Sequence, residues 1–156
     1  MKKYLLIATL LLLICYRSFS QQIQKNFYQT FDVKDEISTL KFDFPCKVEY
    51  RTTSSQRAMI ETFVTWNNGN FQLLDFLIKE GEYNALFTPA AFGVSFTPKK
   101  AVQNEIGLKD GRVIKATINV IVFLPENFYQ NGDNVFSRCN DSSIASSIAK
   151  NDMKLK

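Results

Sequence analysis

Leu40-Lys41-Phe42-Asp43-Phe44-Pro45-Cys46-Lys47-Val48-Glu49-Tyr50 decides the fold: large apolar residues hold every even position, and charged residues or proline hold every odd one. Successive side chains of a strand point to opposite faces, so this alternation means one buried face and one wet face. A helix would scatter the same apolar residues around its circumference, and Pro45 would break it near the middle. Pro45 also has no N–H to give to a sheet. The stretch is therefore predicted to hold a bulge, an edge position or two shorter strands meeting at the proline.

Working outward, residues 114–124 repeat the pattern. Ile114, Ala116, Ile118, Val120, Val122 and Leu124 share one face; the other carries Lys115, Thr117 and Asn119 before turning apolar at Ile121 and Phe123. That predicts a strand whose end is buried on both sides. Residues 58–66 are rich in β-branched and aromatic side chains, and Asn67-Asn68-Gly69-Asn70 separates them from a second apolar run, residues 71–79. An Asn-Gly step between two such runs predicts a tight hairpin. Further reversals are expected at Glu80-Gly81-Glu82, Lys109-Asp110-Gly111 and Asn131-Gly132-Asp133. Thr88-Pro89 and Thr97-Pro98 bracket Phe92, Val94 and Phe96, which reads as a loop carrying at most a short exposed strand.

The fold class expected is all-β, with residues 21–136 as one β-rich domain. Residues 137–156 form a polar tail or a short helix capped at Asn140-Asp141, with Ile144, Ala145, Ile148 and Ala149 as its apolar stripe. At the other end, Lys2 and Lys3 precede an apolar run over residues 5–15, and Ser18-Phe19-Ser20 supplies small residues before Gln21. That is the layout of a signal peptide over residues 1–20, so the chain is expected to be exported to the periplasm, the outer surface or the medium. Its run is too short for a membrane span, which needs ~20 residues. Loss of Lys2, Lys3 and Arg17 with the signal leaves sixteen basic against fifteen acidic residues, a net charge of +1 in place of +4. Such a balance offers no footprint for nucleic acid.

Two cysteines, Cys46 and Cys139, remain after cleavage, and an oxidising compartment would let them pair. The closed loop would be worth roughly 4–5 kcal/mol. The competing reading is that Cys46, on the apolar parity of its strand, is a buried thiol.

The chain contains no histidine. This removes the usual general base near neutral pH, the commonest metal ligand and every Ser-His or Cys-His nucleophile. No catalytic residues, metal or cofactor are therefore expected. Two-carboxylate hydrolysis needs no histidine, but Asp75, Glu80, Glu82, Glu105 and Asp110 fall in turns or on wet faces, where acids are ordinarily solvated. Asn131, Asp133 and Asn134 offer oxygens to calcium without the spacing of an EF-hand. Among the fourteen Phe, six Tyr and one Trp, most rings sit inside apolar runs and read as core. Trp66 beside the Asn-rich turn, with Phe92 and Phe96 in the Pro-bounded loop, are the ligand-binding candidates, because binding residues concentrate on loops held by a rigid sheet.

The order of segments carries a resemblance. Phe31-Asp32-Val33 with Ile37, the alternating stretch 40–50, the run 71–78 and Ile118-Asn119-Val120-Ile121-Val122-Phe123-Leu124-Pro125 together resemble the start of the autotransporter-adhesin head domains of exported Bacteroidetes-type proteins. The resemblance spans residues 27–136. It implies a right-handed β-solenoid and adhesion to another envelope or host protein or to a glycan; it supplies no catalytic residue. Only 31 residues follow Pro125, and solenoid rungs need about three neighbours, so a partial solenoid or a β-sandwich are the two architectures expected. The function expected is that of an exported envelope or surface domain acting by binding or presentation. The alternatives are a carboxylate-based hydrolase of envelope polysaccharide and a structural component of the envelope.

Overall fold

The computed structural model describes residues 22–91, 93–101, 105–109 and 111–139. The signal-peptide and C-terminal helix readings fall outside the described residues, as do Phe92 and Asp110. The chain runs through β1 (Gln22–Asp32), β2 (Thr39–Phe42), β3 (Lys47–Thr53), β4 (Arg57–Asn67), α1 (Phe71–Lys79), β5 (Ala85–Ala90), β6 (Gly93–Pro98), β7 (Glu105–Gly107), β8 (Val113–Pro125), β9 (Phe128–Gly132) and β10 (Val135–Arg138). The protein is thus mostly β.

Two five-stranded sheets hold these strands. In the first the order is β1-β4-β8-β3, with β7 also paired to β8; in the second it is β5-β6-β2-β10-β9. Pairings are antiparallel except β3 with β8 and β2 with β6, so both sheets are mixed. The thirteen-residue β8 is the longest strand. On one edge it meets β4; on the other it meets β7 at residues 113–115 and β3 at residues 119–125.

The alternating stretch 40–50 is divided between the sheets. β2 lies in the second and β3 in the first, and Asp43, Phe44, Pro45 and Cys46 cross from one to the other. Its parity survives the crossing because both sheets contribute to one core: Leu40 and Phe42 enter from one side, Val48 and Tyr50 from the other. The Phe42 and Tyr50 rings approach to 5.8 Å between centroids, and Phe42 stacks on Phe96 at 4.8 Å. The inward residues of β8 predicted from period two are all buried.

Two expectations are corrected. Residues 71–79 form helix α1 and not the second arm of a hairpin. Asn68 takes a left-handed backbone (φ 63°), and Gly69 lies against Trp66 so closely that a Cβ there would sit 2.6 Å from the indole. Asn70 then caps the helix, its side-chain oxygen accepting from the N–H groups of Gln72 (2.7 Å) and Leu73 (3.3 Å). Leu73, Leu74, Leu77 and Ile78 pack on the core, a helical and not a two-residue spacing. The second correction concerns residues 93–98, which form β6, an interior strand of the second sheet with Val94 and Phe96 buried. The prolines permit this because Pro98 ends β6 and Pro89 lies in the edge strand β5, where a missing N–H leaves no broken ladder. The turns at Glu80-Gly81-Glu82, before Arg112 and after Gly132 all form; at the second, Leu108 donates its N–H to the Arg112 carbonyl at 2.8 Å and Gly111 donates its own to the Leu108 carbonyl at 3.0 Å.

Candidate functional site

The inward face of β8 is covered unevenly. Near Val122 the second sheet closes over it, with Tyr50 packed on Phe136 at 4.6 Å. Near Ile114 the N-terminal turn of α1 comes close, the two lining a shared depression with Leu108. Between these covers, at Ile118 and Val120, an open cavity of about 450 Å³ remains, within the range of small-molecule sites. Thr62 of β4 and Ile106 of β7 complete its floor. Phe44 and Cys46, from the crossing between the sheets, form one wall. Leu77 of α1, Tyr83 and the segment Pro98, Lys100 and Ala101 form the rest.

The C-terminal end of α1 fixes the polar part of this lining. Gly81, at φ 73°, donates its N–H to the Ile78 carbonyl, and Glu82 donates its own to the Leu77 carbonyl, each at 3.0 Å. That paired pattern ends a helix through a left-handed residue, which glycine adopts without strain. It delivers Glu82 and Tyr83 to the cavity. The Glu82 carboxylate pairs with the Lys100 ammonium. Tyr83 accepts a hydrogen bond from the Trp66 indole N–H at 3.1 Å. Burial raises the Tyr83 hydroxyl above its ordinary value, the Trp66 bond opposes this, and the Glu82 charge adds to it. Burial likewise raises the Cys46 thiol.

The residues singled out in the sequence are dispersed. Trp66 and Phe96 are fully buried, so neither ring faces solvent; Trp66 supports the cavity from behind through Tyr83, and Phe96 belongs to the aromatic core. Phe92 lies outside the described residues. Cys46 and Cys139 are both free thiols. Cys46 precedes Lys47, which pairs with Asn119, whereas Cys139 bonds the Asn127 carbonyl beyond Pro125. Asp75 is neutralised by Lys25 and Lys79. Asn131 donates to the Ser137 hydroxyl, and Asn134 accepts from Tyr50. Among the described residues no cluster of three or more His, Cys, Asp or Glu could hold a metal, and no helix is long and apolar enough to cross a membrane.

The sequence pattern placed Phe44 and Cys46 inward, Phe44 with no role and Cys46 only as a disulfide partner or a buried thiol, and Glu82 read as a solvated turn charge. Leu77, Tyr83 and Lys100 carried no signal of a site. The nearest clue was Asn70 with Gly81, a cap and a stop eleven residues apart in sequence around a helix-spaced apolar stripe. No protein-family model, curated protein or solved structure matches the chain.

Proposed function

We propose that this chain is an exported envelope domain that works by binding and not by turnover, and that its site is the cavity between β8, the residue 43–46 crossing and the end of α1. The observation that carries this reading is the cavity itself: about 450 Å³, open to solvent, walled by Phe44, Leu77, Ile106, Ile118 and Val120, with polar groups confined to a few positions. An apolar wall with sparse polar groups suits a ligand with an apolar body. Export is supported by the first twenty residues, and the adhesin-head resemblance is consistent with a binding role at the cell surface. Binding is favoured over hydrolysis because Glu82 is the one carboxylate among the described lining residues, where a two-acid mechanism needs a facing pair.

We read the architecture as sandwich-like. Apart from β3 and β4, which flank β8 in one sheet, strands consecutive in sequence pass between the two sheets or pair antiparallel, and inner side chains of both sheets meet in one core; stacked parallel rungs would not place Phe42 and Tyr50 across from one another.

Cys46 offers a direct test. In a Cys139→Ser protein, an apolar fluorophore such as Nile red should bind saturably, and alkylation of Cys46 with cyclohexylmaleimide should abolish the signal by filling the cavity. Fluorophore binding unchanged by complete alkylation would place the apolar site elsewhere and refute the proposal.

A further inference from the structure

Resting on the cavity as a ligand site, we infer that its ligand carries a cationic amine on its apolar body. Glu82 shares the cavity lining with the rings of Phe44 and Tyr83. A carboxylate and aromatic faces both favour a cation, the first through charge-assisted hydrogen bonds and the second through the ring quadrupole. In the structure the ammonium on Glu82 is the chain's own, from Lys100.

The two members of that pair are not equally fixed. Glu82 extends by a short stem from backbone fixed by its N–H bond to the Leu77 carbonyl, and its side chain is 29 % exposed; the Lys100 side chain is 58 % exposed at the end of a long stem. An ion pair so open to water contributes little, and a lysine ammonium released into solvent regains strong hydration. A ligand ammonium can therefore take the place of Lys100 while Lys100 swings outward. An anionic ligand would have to expel the better-held Glu82 from Lys100, or else lie against its charge. Lys99, the adjacent cation, reaches toward the Glu80 carbonyl at 3.5 Å and is not part of the lining.

Isothermal titration of the purified protein with decylamine, decanol and decanoate, each below its micelle-forming concentration at pH 7, tests the inference. Decylamine should bind about tenfold more tightly than decanol, the increment of one charge-assisted contact, with decanoate weakest. Glu82→Gln should bring decylamine to the level of decanol while leaving decanol unchanged. Lys100→Met, which keeps the stem and removes the competing ammonium, should tighten decylamine binding. Equal binding of all three, or decanoate binding best, overturns the cationic preference and leaves the cavity reading standing. Weaker amine binding in Lys100→Met also overturns it, and no binding by any of the three removes both.

Discussion

Tyr50 shows how one side chain joins the two sheets. It projects inward from β3, packs on Phe136 of β10, and donates its hydroxyl to the Asn134 side-chain oxygen at 2.8 Å across the β9–β10 turn. Burial, reinforced by the nearby Cys46, pushes its hydroxyl pKa up to about 12 from an ordinary 10.0. The unfolded chain therefore releases this proton at lower pH than the folded one, and between pH 10 and about 12 the folded state loses stability as pH rises. Tyr50→Phe should be less stable than wild type by about 1 kcal/mol near pH 7, from the lost hydrogen bond. The gap should narrow across that alkaline window, because phenylalanine has no proton to hold. Urea denaturation at pH 7 and above pH 10 measures both; a gap that widens with pH contradicts the assignment.

At the scale of elements, α1 is the piece whose ends matter most, since its start is capped by Asn70 and its stop aims Glu82 and Tyr83 at the cavity. Asn70→Ala should cost about 1 kcal/mol, read as a lower urea midpoint with an unchanged slope, and Asn70→Asp should restore most of it. No change in either variant would mean the cap is not what starts the helix. The strands β3 and β8 were legible because period two at Val48 and Tyr50, and from Ile114 to Leu124, reports a face turned to the core, and β4 because residues 58–66 are rich in β-branched and aromatic side chains. Helix α1 was not, because Asn68-Gly69 looks like a hairpin turn when its neighbours are unknown. Its glycine is instead required by the approach to Trp66, a tertiary contact that no local pattern encodes. β6 was hidden for a related reason: proline argues against an interior strand, unless it falls at the strand's last residue as Pro98 does.

For the whole molecule, the cavity is a product of topology. Phe44, Thr62, Tyr83, Lys100 and Val120 are spread across most of the domain sequence, and they meet only because β2 and β3 part into different sheets around Pro45 while α1 stops short of covering β8. The rings most visible in the sequence, Trp66 and Phe96, went to the core, and rings such as Phe71 and Phe76 of α1 were left half exposed. An apolar ligand thus has a choice between an open, apolar-walled cavity and a scatter of surface rings. The most direct measurement is a nitrogen-15 NMR titration with decanol. Saturable shifts clustered at the amides of Cys46, Thr62, Tyr83, Ile118 and Val120 are the predicted result; shifts confined to Tyr28, Phe71, Phe76 and Tyr129 on the surface, or none at all, would contradict a binding function centred on this cavity.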